Sequence, residues 1–178
     1  MTNETRERLD VFADDLFKKL NMTIPVDIDA AVDKLGGTII DAPAKLVEDK
    51  GDIFVADDHS FTIYVDETCT DEIRSARVAQ LISFYFILIK HNSVGECVKL
   101  DRVKTIMKCN EFARDFLVPL SQFKASISHH SHDDSVDIVK IANEFGVSVP
   151  FLMQRGINAG IINGSTYELS GEEEEKRA

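Results

Sequence analysis

Residues 78–89 form the most apolar stretch of the chain, a run of twelve in which Gln80 and Ser83 are the polar interruptions. The run is too short to span a bilayer. It continues a helical pattern that opens at Asp71, where Thr70 is a candidate N-cap and Asp71 and Glu72 lie near the positive end of the helix dipole. A helix apolar at nearly every position from Leu81 onward must be buried on most sides, so the chain is expected to wrap around it as a central helix.

The flanking segments show what wraps it. Leu9, Phe12, Leu16 and Leu20 recur at helical spacing within residues 4–20, and Asp27 caps a second helix carrying Ala31, Val32 and Leu35 and stopped at Gly36-Gly37. Three short segments have strand composition: residues 38–40, 52–56 and 61–65. The polar turn Asp57-Asp58-His59-Ser60 joins the last two as a hairpin. Beyond the central helix, an amphipathic helix is expected over 102–118, with Val103, Ile106, Met107, Ala113, Phe116 and Leu117 inward and Pro119 as its stop. Two shorter helices, 136–145 and 149–159, are separated by Gly146-Val147-Ser148. The expected class is α+β, mainly helical, with a small three-stranded antiparallel sheet.

Charge and composition exclude several roles. With 44% apolar residues over 178, the chain can bury a moderate core, and its net charge is −11. The run Glu172-Glu173-Glu174-Glu175-Lys176-Arg177 contributes −2 of that, so the body is itself acidic. This argues against direct nucleic-acid binding and against anionic membranes. The acidic tail, 166–178, is expected to be disordered. Cys69, Cys97 and Cys109 have no CxxC spacing and read as free thiols, and the N-terminus lacks the apolar core of a signal peptide, so a cytoplasmic location is expected.

Three pieces in order resemble the ImmA/IrrE family of zinc metallopeptidases. Cys109-Asn110-Glu111-Phe112-Ala113-Arg114-Asp115-Phe116-Leu117-Val118-Pro119 is similar to the family's A-N-x-F-A-x-x-L-L-M-P segment. Phe145-Gly146-Val147-Ser148, followed by Arg155-Gly156-Ile157-Asn158-Ala159-Gly160-Ile161-Ile162, resembles its C-terminal F-G-V-S…R-L-x-x-L-G-L-I. Phe61-Thr62-Ile63-Tyr64-Val65-Asp66 resembles the strand that precedes its metal helix. The resemblance covers residues 10–163. It implies a zincin-like minimal domain over 1–120 and a helix-turn-helix-like pair over 121–165 packed on it.

The family's A-H-E-x-G-H places two histidines one helical turn apart on a zinc, with a glutamate to polarise the bound water. Counting without a gap from Val65-Asp66 puts Gln80 and Phe84 at the ligand positions and Leu81 at the base. If Arg77 is aligned with the family's arginine, Ile82, Ser83 and Phe86 take those places. Neither register supplies a histidine or glutamate. The third ligand is also missing, because Ile106, Met107 and Lys108 occupy its positions. No catalytic residue, no metal site and no cofactor are therefore expected. The resemblance implies an inactive, regulatory protein-binding module whose partner is a helix-turn-helix repressor of a mobile element or stress response.

Other features of the sequence compete with that reading. A zinc endopeptidase with unconventional ligands would need His59 or the cluster His129-His130-Ser131-His132-Asp133-Asp134, which reads as a solvated loop. A DNA-binding role for the helix pair lacks readers, since Val149, Pro150, Phe151, Met153 and Gln154 open its second helix and Arg155 is its one basic residue. Asn110, Glu111 and Asp115 are expected at the surface or behind the site. Ser83 and His91 lie two turns apart without an orienting acid, so they offer no triad.

Overall fold

Strand β3 (Phe61–Asp66) shows how the chain sorts its side chains: Phe61, Ile63 and Val65 are buried, while Thr62 and Tyr64 between them are half-exposed. That period of two places one face on the core, where each large side chain contributes roughly 1.5–3 kcal/mol. The computed structural model describes residues 1–47, 51–91, 102–132 and 135–162. Within them, β1 (Gly37–Ala42) and β2 (Gly51–Val55) flank β3 in the order β1-β3-β2. β2 pairs antiparallel to β3 as the expected hairpin, from Val55 opposite Phe61 to Gly51 opposite Val65. β1 pairs parallel to β3, from Gly37 opposite Phe61 to Ala42 opposite Asp66. The sheet is therefore mixed, which corrects the antiparallel expectation. β1 and β3 are not consecutive in sequence, and the intervening chain goes out through β2 before returning in the same direction.

Helices α1 (Asn3–Lys19) and α2 (Ile28–Lys34) precede the sheet, and the Thr2 and Asp27 side chains accept from Thr5 N and Ala30 N as N-caps. α3 (Asp71–Lys90) follows β3 across a turn in which Asp66 Oδ1 accepts from Thr68 N and Oγ1 at 2.9 and 2.7 Å. Its middle is fully buried at Val78, Ala79, Leu81, Ile82 and Ser83, but Phe84 to Ile89 are only half-buried. The apolar run thus does not mean burial on most sides along its whole length. Arg74 fastens the start of α3 to its neighbours, with Nη1 and Nη2 each 2.9 Å from the Asp29 carboxylate of α2 and Nε 3.2 Å from Asp41 of β1. Such fork geometry adds direction to the attraction.

α4 (Arg102–Leu117) packs between α1 and α3, and Pro119 leads directly into α5 (Leu120–His129), a helix absent from the sequence reading. The dipeptide-length strands β4 (Ser131–His132) and β5 (Ser135–Val136) pair antiparallel before α6 (Ile138–Phe145) and α7 (Val149–Asn158). α6 ends at Gly146, which sits at φ 64°, a conformation glycine reaches without the Cβ penalty, and Ser148 caps α7 through Phe151 N. At Gly156 a Cβ would stand 2.2 Å from Ile162 Cδ1, so the missing side chain is what lets the chain fold back over α7. A single buried apolar cluster runs from Ala13 of α1 through Val65, Ile82 and Phe112 to Leu152 and Ile162.

Candidate functional site

A cleft of about 460 Å³ opens between the first half of α3 and the start of α7. Ile73, Ala76, Arg77 and Gln80 form its α3 side together with Thr70 and Glu72, and Ser148 and Phe151 form the other. Its volume lies in the range of small-ligand or side-chain pockets. Arg77 is held by donating to Gly51 O at 2.8 Å and Gln80 Oε1 at 3.1 Å, which connects the cleft to the edge strand β2. Among the described residues that line it, Glu72 is the one carboxylate and there is no histidine or cysteine.

The sequence-derived positions separate around this cleft. Gln80 lines it; Leu81 is buried in the core and Phe84 lies half-buried farther along α3. In the shifted register, Ile82 and Ser83 are buried and Phe86 packs edge-on against Phe12 of α1. The positions assigned to a third ligand are not among the residues that line the cleft, and Ile106, Met107 and Lys108 are exposed on α4. Exposure of Val103, Ile106 and Met107 corrects their inward assignment: the buried face of α4 begins only at Cys109. Burial there, opposed by the Ser83 hydrogen bond and the charges of Arg77 and Lys108, holds the Cys109 thiol above its ordinary pKa. Cys69 and Cys109 are both free thiols; Cys97 lies outside the described residues.

The histidine cluster is partly a structured element and not a loop. His129 ends α5, His130 follows with its Nε2 3.4 Å from Glu144 of α6, and Ser131–His132 forms β4; Asp133 and Asp134 lie outside the described residues. Glu144 also accepts a hydrogen bond from the buried Ser126, so this carboxylate ties α5 to α6. His59 is in the β2–β3 turn, where its carbonyl accepts from Tyr85 Oη at 3.0 Å. Among the described residues that line the cleft, His59, His129 and His130 do not appear. Among the described residues, no group of three His, Cys, Asp or Glu side chains is placed to hold a metal ion.

The largest departure from the sequence reading concerns Glu111 and Asp115, which are buried and not at the surface. Both belong to a charged junction of α1, α4 and α7. Arg155 Nη1 is 2.7 Å from Asp115 Oδ1, its Nη2 pairs with Asp10, and its Nε donates to Val118 O at 3.1 Å. Glu111 faces Arg6 at 3.0 Å and Arg114 at 3.4 Å, and it accepts from Asn158 Nδ2 at 2.7 Å. Burial, opposed by Arg155 and reinforced by Asp10 and Glu111, raises the Asp115 carboxyl to about 7. The only clue in the sequence was the segment 109–119, where polar residues alternate with core phenylalanines. Their partners on α1 and α7 are far away in sequence.

No family model and no curated protein matches the sequence. Among solved structures, a Mycobacterium tuberculosis transcriptional regulator is similar to 85% of this chain, with a TM-score of 0.61 and 18% identity. The chain corresponds to 50% of that protein's length. At this identity the likeness is one of fold. Among the described residues, no helix is long and apolar enough to cross a membrane.

Proposed function

We propose that this chain is a catalytically silent ImmA/IrrE-like module that binds a helix-turn-helix repressor through the cleft between α3 and α7. The observation that carries the reading is the lining of the cleft. Zinc hydrolysis needs about three protein ligands and an activated water, whereas the described lining of this cleft has one carboxylate, Glu72, beside Ile73, Ala76 and Phe151. An apolar groove with a few fixed polar groups suits a docked segment better than hydrolytic chemistry. The fold shared with a transcriptional regulator agrees with a regulatory setting.

Direct contact with DNA is the weaker reading, and Arg155 is the reason. The sole basic residue of α7 is buried in ion pairs with Asp115 and Asp10, leaving that helix without a basic side chain to meet a phosphate. The test is co-purification of the tagged chain from its native host, with the half-exposed Ile73 replaced by Asp in parallel. Capture of a repressor by the parent chain and its loss in Ile73→Asp is the expected result. Equal capture by both would remove the cleft from the mechanism, and stoichiometric zinc lost on replacing His59 or His129–His132 would overturn the silent assignment.

A further inference from the structure

α7 takes part in two places at once. Ser148, which caps it, and Phe151 in its first turn wall the α3–α7 cleft. Arg155 and Asn158 carry its other end into the charged junction with α1 and α4. A helix of ten residues is roughly 15 Å long and moves as a unit, so whatever seats the junction end also sets the wall of the cleft.

Asp115 is the least satisfied group of that junction. Its side chain is 0% exposed, and charges act on it from each helix around it: Asp10 of α1, Glu111 and Arg114 of its own α4, and Arg155 of α7. Arg6 of α1 turns to Glu111, and Arg77 of α3 acts on Cys109 and not on Asp115. Arg155 Nη1 stands 2.7 Å from Oδ1, yet neither Asp115 oxygen receives a well-directed hydrogen bond among the described residues. The same guanidinium is shared with Asp10 and Val118 O. Glu111, by contrast, accepts from Asn158 Nδ2. A carboxyl stripped of water, given no directed donor and set beside two carboxylates keeps its proton. Its titration is accordingly raised to about 7.

We infer that Asp115 is a proton-controlled latch on α7: the helix seats on α1 and α4 with this carboxyl protonated and opens locally as the proton leaves, loosening one wall of the cleft. As a regulation of binding, this rests on the cleft being the docking site. When α7 lifts away, water reaches Asp115 and the carboxyl titrates near its ordinary 3.8. Opening therefore releases a proton at any pH between that value and about 7, and rising pH favours it. Above about 7 the seated carboxyl is itself ionised and the dependence levels off.

The test is amide hydrogen exchange of the full chain, read by mass spectrometry from pH about 5 to 8 and corrected for the intrinsic exchange rate. It needs no partner, so its failure leaves the docking reading standing, and loss of that reading leaves the latch standing. Amides of α7 should open more readily than those in the buried middle of α3. Their opening constant should rise by up to about tenfold per pH unit, the limit for one released proton, and flatten above about 7. Asp115→Asn should abolish the rise. Asp10→Asn removes a carboxylate that raises Asp115, so it should move the flattening to lower pH, and it keeps the test decisive if Asp115→Asn folds poorly. Opening constants of α7 equal to those of α3 at every pH would overturn the inference. So would an α7 indifferent to pH, a rise that survives Asp115→Asn, or a flattening that Asp10→Asn leaves in place.

Discussion

Where α3 crosses the core, Leu81 and Ile82 fill the interior and Ser83 is the only buried polar side chain. Where α4 runs between α1 and α7, Glu111, Asp115 and Arg155 are buried together. The first region closes by apolar packing, which is favourable but tolerant in direction. The second spends desolvation energy to bring opposite charges into one geometry, and it gains orientation from that geometry. Arg155 meets Val118 O, Asp10 and Asp115 together, which ties α7 to both α4 and α1. Buried polarity is thus scarce along the middle of α3 and concentrated at the joint that sets the position of the helix pair.

The largest effect should come from breaking the joint. Arg155→Leu leaves Asp115 and Asp10 without their cation, and urea denaturation should show a loss of about 3–5 kcal/mol. A loss below about 1 kcal/mol would mean that the pairs do not orient α7. Next is the reverse experiment on α3, in which Leu81→Glu introduces an unpartnered carboxyl into the core. A loss of roughly 2–4 kcal/mol is expected, and added zinc should not raise the melting temperature, because Gln80 and Phe84 supply no ligands.

The third prediction concerns pH. Asp115 has a folded pKa raised to about 7 by burial. In the unfolded chain the carboxyl titrates near 3.8, so between that pH and about 7 the native state keeps a proton that the unfolded state has released. Its contribution to stability therefore declines as pH rises through this window and levels off above it. Asp115→Asn should flatten that part of a stability profile measured from pH about 4 to 8. The smallest effect is expected at the surface. Arg8→Ala removes an exposed pair with Glu4 and should change stability by no more than about 0.5 kcal/mol.

Local rules made most helices legible. Thr70 caps α3 as its sequence position suggested and Gly146 separates α6 from α7, where Ser148 proves to be the cap. Strand direction was not legible, because β1 has the same composition whichever way it pairs, and its partner is chosen by the return of β3 to the centre of the sheet. The start of α5 is hidden because Pro119 also ends the pattern of α4. A proline also suits the start of a helix, and Leu120, Phe123 and Ile127 had the spacing to show it. For the site, the absence of histidine and glutamate around Gln80 and Phe84 was readable directly. The α7 wall of the cleft, Ser148 and Phe151, depends on tertiary packing, and the burial of Glu111 and Asp115 depends on partners at Arg6 and Arg155.

The close approach at Gly156 has a genetic consequence. A single added methyl there would have to displace Ile162 from the end of α7, while leaving the caps, the sheet and the charged joint chemically intact. Such a lesion weakens one corner of the molecule and not its plan. Gly156→Ala is thus the change by which a conditional allele would arise, functional in the cold and lost on warming.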